Sequence, residues 1–144
     1  MTKTMVRAAA VFCVVGGLAA TALAQKTAGT LKELNELLAS SCFNKPVLTL
    51  DASGVVLRTG RNGATHKFKL SEIGEIVSER PDAQAHIVLR CKDQKPCVEV
   101  VATPGGPTSR GGFTVFSITP RTPTGDRVLK LFTDLRAAAG ASGR

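Results

Sequence analysis

Seven short runs of β-forming residues, separated by turn residues, limit the possible folds of this chain more than any other feature. The runs cover residues 47–51, 55–59, 66–70, 73–78, 86–91, 97–102 and 113–118. In the third run, Phe68 and Leu70 fall on one side, while Lys67 and Lys69 fall on the other. Such alternation is typical of strands that bury one face of an antiparallel sheet. The Gly- and Pro-rich segment 103–112 is expected to be a loop.

Two amphipathic segments flank these runs. Thr30 and Glu33 fit a capping box, and the leucines after Thr30 fall largely on one face, which predicts a helix over 30–39. Near the C-terminus, Thr124 fits a helix cap, Asp126 fits the first turn and Gly140 fits the end. The apolar stripe between them consists of Val128, Leu131, Phe132, Leu135 and Ala139. We therefore predict an α+β domain, an antiparallel β barrel or sandwich of about seven short strands with a C-terminal capping helix and an extra N-terminal helix.

The N-terminus has the layout of a secretory signal peptide over residues 1–24. Lys3 and Arg7 give a positive start, an uncharged Ala-, Val- and Gly-rich stretch follows, and Ala22-Leu23-Ala24 is the small-x-small pattern of a cleavage site. The stretch is shorter and less apolar than the roughly 20 residues of a membrane-spanning helix. We expect a bacterial protein of the periplasm or medium, with residues 25–144 as one domain, its core over about 30–140, and no stable membrane span after cleavage.

Composition favours an anionic partner. Two of the 19 basic residues would leave with the signal peptide, so 17 would face 11 acidic residues, a net charge of +6. A basic surface attracts anionic lipids, acidic polymers or acidic proteins. The chain has no Trp and no Tyr. Because sites for sugars and single-stranded nucleic acids use exposed aromatic platforms, we expect no nucleic-acid partner.

Three cysteines would remain after cleavage. Cys91 and Cys97 bracket a polar stretch with Pro96 between two β-like runs, which favours a hairpin with a disulfide at its mouth. Exported proteins lie where disulfides persist, and closing so short a loop stabilises by about 2 kcal/mol. Cys42 is left over. It is either free and buried or pairs between chains, so both a monomer and a Cys42-linked dimer stay open.

The order of elements, short antiparallel runs followed by an amphipathic helix, resembles pleckstrin-homology-like (PH-like) barrel domains over about residues 45–139. The Trp usual in the last helix of the eukaryotic family is missing here. The resemblance implies a strongly bent sheet whose open end is plugged by the last helix. Family members that bind phosphoinositides carry basic residues on their first hairpin.

A similar basic hairpin is present in this chain. Asn62-Gly63 is a strong turn signal, and Arg58, Arg61, Lys67 and Lys69 lie around it. If Asn62-Gly63 marks the turn, Arg58, Lys67 and Lys69 share the solvent face of two paired strands. These four residues are the candidate ligand-binding face. The alternative is a charged face that is solvated and protects the sheet from aggregation.

No motif for catalysis, a cofactor or a metal stands out. The C-x5-C spacing differs from the C-x-x-C of redox sites, and segment 105–112 lacks the ending of a phosphate loop. We therefore expect a non-catalytic binding or adaptor domain that contacts an anionic envelope component or a protein partner. Two alternatives stay open: an envelope assembly protein that dimerises through Cys42, and an enzyme whose site contains His66 or His86.

Overall fold

The computed structural model describes residues 15–79, 84–119 and 121–141. Helix α1 is Val15–Ser41, and helix α2 is Asp126–Ala141, preceded by a π-helical turn at Arg121–Gly125. Short 3-10 turns lie at Leu70–Glu72 and Lys92–Gln94. The strands are β1 (Val47–Leu50), β2 (Val55–Thr59), β3 (Thr65–Lys69), β4 (Ile73–Glu79), β5 (Ala85–Cys91), β6 (Val98–Val101), β7 (Thr108–Gly111) and β8 (Phe113–Ile118).

The strands form two antiparallel sheets, which confirms the α+β prediction. The larger sheet has the order β1-β2-β3-β6-β7, and the smaller has the order β4-β5-β8. The two sheets are not closed into a barrel. Each of the seven predicted runs matches a strand, and β7 is an eighth that lies inside the segment expected to be a loop. The resemblance to PH-like domains stays a prediction.

Both sheets and both helices share one core. Leu34 and Leu38 of α1 are fully buried in it, together with Phe68 of the larger sheet and Phe116 of the smaller sheet. The Phe116 ring lies 4.8 Å from that of Phe132 on α2. The stripe predicted on α2 faces this core, since Val128, Leu131, Phe132 and Leu135 are all buried. Burying a large apolar side chain contributes about 1.5–3 kcal/mol, so this core is the main source of stability.

The predicted disulfide is confirmed, but the predicted hairpin around it is wrong. Cys91 and Cys97 are bonded, yet β5 pairs with β4 and β8, while β6 pairs with β3 and β7. The 3-10 turn between them has positive φ at Asp93 and Gln94, which carries the chain away from β5. The bridge therefore joins the two sheets at the point where the chain crosses from one to the other.

Helix α1 begins earlier than the capping box predicts. The Thr30 hydroxyl donates to the carbonyl of Lys26 at 2.9 Å, a bond inside a continuous helix. Glu33 does not reach back to Thr30, because its carboxylate accepts from Nε and Nη2 of Arg127 at 2.6 and 2.7 Å. The predicted cleavage site after Ala24 lies within α1. In the described part of the chain, no helix combines the length and hydropathy that crossing a membrane requires.

Helix α1 also covers the outer edge of β1. Leu48 turns its backbone N–H and C=O away from β2, and the Asn35 side chain satisfies both. Oδ1 accepts from Leu48 N at 2.8 Å, and Nδ2 donates to Leu48 O at 2.9 Å. The amide of Asn35 therefore replaces a neighbouring strand, which blocks edge-to-edge pairing at this position.

Candidate functional site

The hairpin of β2 and β3 separates the four predicted binding residues into two groups. Arg58 pairs with His66, whereas Lys67 pairs with Leu57 and Lys69 with Val55. A two-residue turn at Asn62-Gly63 would have set Arg58 opposite Lys67. The actual connection spans residues 60–64, which shifts the register by one residue and moves Arg58 to the core side. The prediction that Arg58 shares the solvent face is therefore wrong.

Arg58 is buried, with 9% of its surface exposed. Its Nη1 donates to Thr114 Oγ1 at 2.9 Å and to the carbonyl of Val115 at 2.6 Å. Its guanidinium carbon lies 4.3 Å from the centre of the Phe116 ring, a cation–π contact. Among the described residues, no carboxylate pairs with it. Burial lowers the pKa of Arg58, yet an arginine stays charged at neutral pH. It connects β2 with β8, and thus one sheet with the other.

His66 and Cys42 adjoin this buried cation. Nδ1 of His66 lies 3.0 Å from Thr114 Oγ1, the hydroxyl that Arg58 also contacts. Burial, and after it the charge of Arg58, lowers the pKa of His66, so the imidazole is neutral at pH 7. Burial raises the pKa of the Cys42 thiol, which keeps it protonated. A protonated, buried thiol is a poor nucleophile, so this cluster has the properties of a structural network.

Cys42 is a free cysteine and only 6% of its surface is exposed, which agrees with the alternative of a free, buried thiol. It forms an isolated bridge with Ile118, and the neighbouring Ser41 accepts from Thr119 N at 2.9 Å. An intermolecular disulfide would require this contact between the end of α1 and β8 to open. The geometry therefore gives the dimer alternative no support.

Arg61, Lys67 and Lys69 form the exposed part of the predicted site, named here the basic face. Within the residues that the structure describes, none of the three makes an ion pair. Many of the acidic side chains form ion pairs with other basic residues. Glu33 binds Arg127, Glu75 and Glu79 bind Arg90, Glu99 binds Arg110, and Asp134 binds Lys130. Two carboxylates lie near Lys67: Glu99 is its cross-strand partner on β6, and the charge of Lys67, after the hydrogen bonds from Ser53 and Val55, lowers the pKa of Asp51. The basic face therefore presents positive charge that these carboxylates offset only in part.

Sequence reasoning missed an exposed phenylalanine beside the basic face. Phe43 is 92% exposed and lies in a turn closed by the bond from Lys45 N to Cys42 O at 3.0 Å. The only signal in the sequence is its position between two polar segments, just after the predicted helix and before Pro46.

Other features give little indication of chemistry. Over the described ranges, no three His, Cys, Asp or Glu side chains converge closely enough to hold a metal ion. A groove of about 240 Å³ lies between α1 and α2, lined in part by Leu23, Thr27 and Leu135. Neither His66 nor His86 lines this groove, so it does not support the enzyme alternative.

No family model, curated protein or solved structure matches this chain.

Proposed function

We propose that this protein is a small exported domain that binds an anionic surface of the bacterial envelope through its basic face and performs no catalysis. The observation that carries the proposal is the set of three exposed cations on one hairpin, none of them in an ion pair with another described residue. A cluster of unpaired cations attracts anionic ligands, and the attraction weakens with salt.

Export is supported by the signal-peptide pattern and by the Cys91–Cys97 disulfide, which suits an oxidising compartment. Cleavage after Ala24 would shorten α1 but keep the residues of α1 that are buried in the core. Leu34, Leu38 and the strand-covering Asn35 all lie beyond the cleavage site. The cleaved domain would therefore keep its core.

Arg58 is not part of the proposed binding surface. Its guanidinium is occupied by Thr114, Val115 and Phe116 inside the domain. Lys67 and Lys69 are exposed on β3, so their positions are set by the register of β2 and β3, while Arg61 lies in the loop that connects the two strands.

Charge reversal on the basic face tests the proposal. Lys67→Glu/Lys69→Glu is compared with Lys26→Glu/Lys32→Glu, which changes the net charge equally but alters exposed lysines on α1. Retention of the purified domain on isolated envelope fractions is measured at low salt, with circular dichroism to verify folding. Each basic residue near an anionic surface contributes roughly fivefold in affinity, so the first variant is expected to lose about tenfold or more.

The α1 variant is expected to keep most of its retention. Equal loss in both variants would show that only net charge matters, and the proposed face would be wrong. Unchanged retention in Lys67→Glu/Lys69→Glu would exclude the basic face as the contact.

A further inference from the structure

The turn that carries Phe43 lies against the loop of the basic hairpin. The backbone N–H of Arg61 donates to the carbonyl of Asn44 at 3.0 Å, which fixes the 60–63 loop beside the turn. Lys45 is exposed in the same turn and holds a positive φ of 40°, unusual for a residue with a side chain. Phe43, Lys45 and Arg61, named here the Phe43 tip, therefore lie in two adjoining surface segments.

This tip combines an apolar and a cationic component. Phe43, at 92%, is the most exposed of the large hydrophobic side chains in the described residues, and nearby Val47 is 55% exposed. Within the described ranges, neither Lys45 nor Arg61 makes an ion pair. A single exposed apolar side chain is common on a protein surface, but an exposed aromatic ring beside cations that make no ion pair is the combination found where proteins lie in a membrane interface.

We propose that the Phe43 tip inserts into the interface of an anionic phospholipid bilayer, with the Phe43 ring among the upper acyl chains and Lys45 and Arg61 at the phosphates. This inference rests on the proposed function and names the anionic surface as lipid. The charges favour lipid over a protein partner, because an exposed aromatic ring with Lys45 in the same turn and Arg61 in the adjoining loop matches a layer of phosphates over an apolar layer.

The chain contains no tryptophan, so a single tryptophan reports directly on this tip. The cleaved domain carrying Phe43→Trp is mixed with vesicles of phosphatidylglycerol and phosphatidylcholine, and with vesicles of phosphatidylcholine alone. Phe113→Trp is the matched control, since Phe113 is 59% exposed at the start of β8 and outside the tip. The proposal predicts a blue-shifted emission for Phe43→Trp on the anionic vesicles only, and no shift for Phe113→Trp.

Shortening the Phe43 side chain to alanine gives a second, independent test, in which co-sedimentation of the domain with vesicles is measured. Phe43→Ala is expected to weaken association with the anionic vesicles by about tenfold, the effect of removing one inserted aromatic side chain. Phe113→Ala is expected to leave the association unchanged. Both positions are exposed, so neither substitution is expected to unfold the domain.

The outcomes separate this inference from the proposed function. If the domain is retained on envelope fractions but does not bind the vesicles, the partner is a protein or another polymer, and lipid insertion is wrong. If it binds the vesicles without a shift at Phe43→Trp, the basic face binds and the tip does not insert. If Lys67→Glu/Lys69→Glu keeps full retention while Phe43→Ala loses it, the Phe43 tip is the contact and Lys67 and Lys69 are excluded from it.

Discussion

Replacing Asn35 removes the side chain that covers the edge of β1. Its amide accepts from Leu48 N at 2.8 Å and donates to Leu48 O at 2.9 Å. In Asn35→Ala both backbone groups lose their partner, and the edge of the five-stranded sheet becomes accessible.

The magnitude follows from two opposing effects. A neutral hydrogen bond contributes about 0.5–1.5 kcal/mol net, so the two together contribute about 2 kcal/mol. Alanine has a higher helix propensity than asparagine, which offsets about 0.6 kcal/mol. The free energy of unfolding should therefore fall by about 1.4 kcal/mol, which lowers the melting temperature by about 6 °C in a domain of this size.

The change in the free energy of unfolding is measured by urea denaturation, monitored by far-ultraviolet circular dichroism. Glu36→Ala, at the next and exposed position of α1, is the matched control and should stay within about 0.5 kcal/mol of the unmodified protein. Asn35→Asp keeps the acceptor but sets a carboxylate against Leu48 O, so it should be destabilised at least as much as Asn35→Ala. An unfolding midpoint of Asn35→Ala equal to that of the unmodified protein would refute the reasoning.

Three further changes test the interior of the domain. Replacing Cys91 and Cys97 by alanine should lower the free energy of unfolding by about 2 kcal/mol, measured in urea without reductant, and an unchanged midpoint would contradict a bridge that holds the sheets together. Because the folded-state pKa of His66 is lowered, the stability it contributes is present above the unfolded-state pKa of about 6.5 and declines as the pH falls below it. His66→Gln should flatten stability between about pH 7.5 and 5, and an equally steep profile in this variant would rule out His66 as the source. Arg58→Ala should lower the free energy of unfolding by about 3 kcal/mol, because it leaves a cavity and an unpaired Val115 carbonyl. Lys69→Ala, at an exposed position, should change it by no more than about 0.5 kcal/mol, and equal effects of the two substitutions would contradict the burial of Arg58.

Local patterns in the sequence identified most of the elements. The bounds of β2 and β8 agree with the predicted runs, because alternation and turn residues are local signals. The buried stripe of α2 followed from helical periodicity in the same way. Strand β7 was missed, since its residues 108–111 are Gly- and Ser-containing, exposed and without an apolar face.

Strand register and strand partners were harder to predict from the sequence, because they depend on the rest of the molecule. Asn62-Gly63 marks a turn, but the loop is longer than two residues, and one residue of shift turned Arg58 inward. The pairing of Cys91 with Cys97 followed from spacing, whereas the crossing between sheets depends on β4 and β8 as better partners for β5. The candidate site differs from the predicted one for this reason. Arg61, Lys67 and Lys69 are exposed, whereas Arg58 is buried. The exposure of Phe43 could be recognised only from the structure.

The salt dependence of envelope retention tests the central claim most directly. The cleaved domain with no substitutions is applied to isolated envelope fractions, and the bound fraction is measured as ionic strength is raised. Because exposed charges are screened over about 10 Å at 0.1 M salt and over about 3 Å at 1 M, the proposal predicts binding at low salt and progressive release over this range. No binding at low salt, or binding that salt does not change, would contradict an anionic surface held by the basic face.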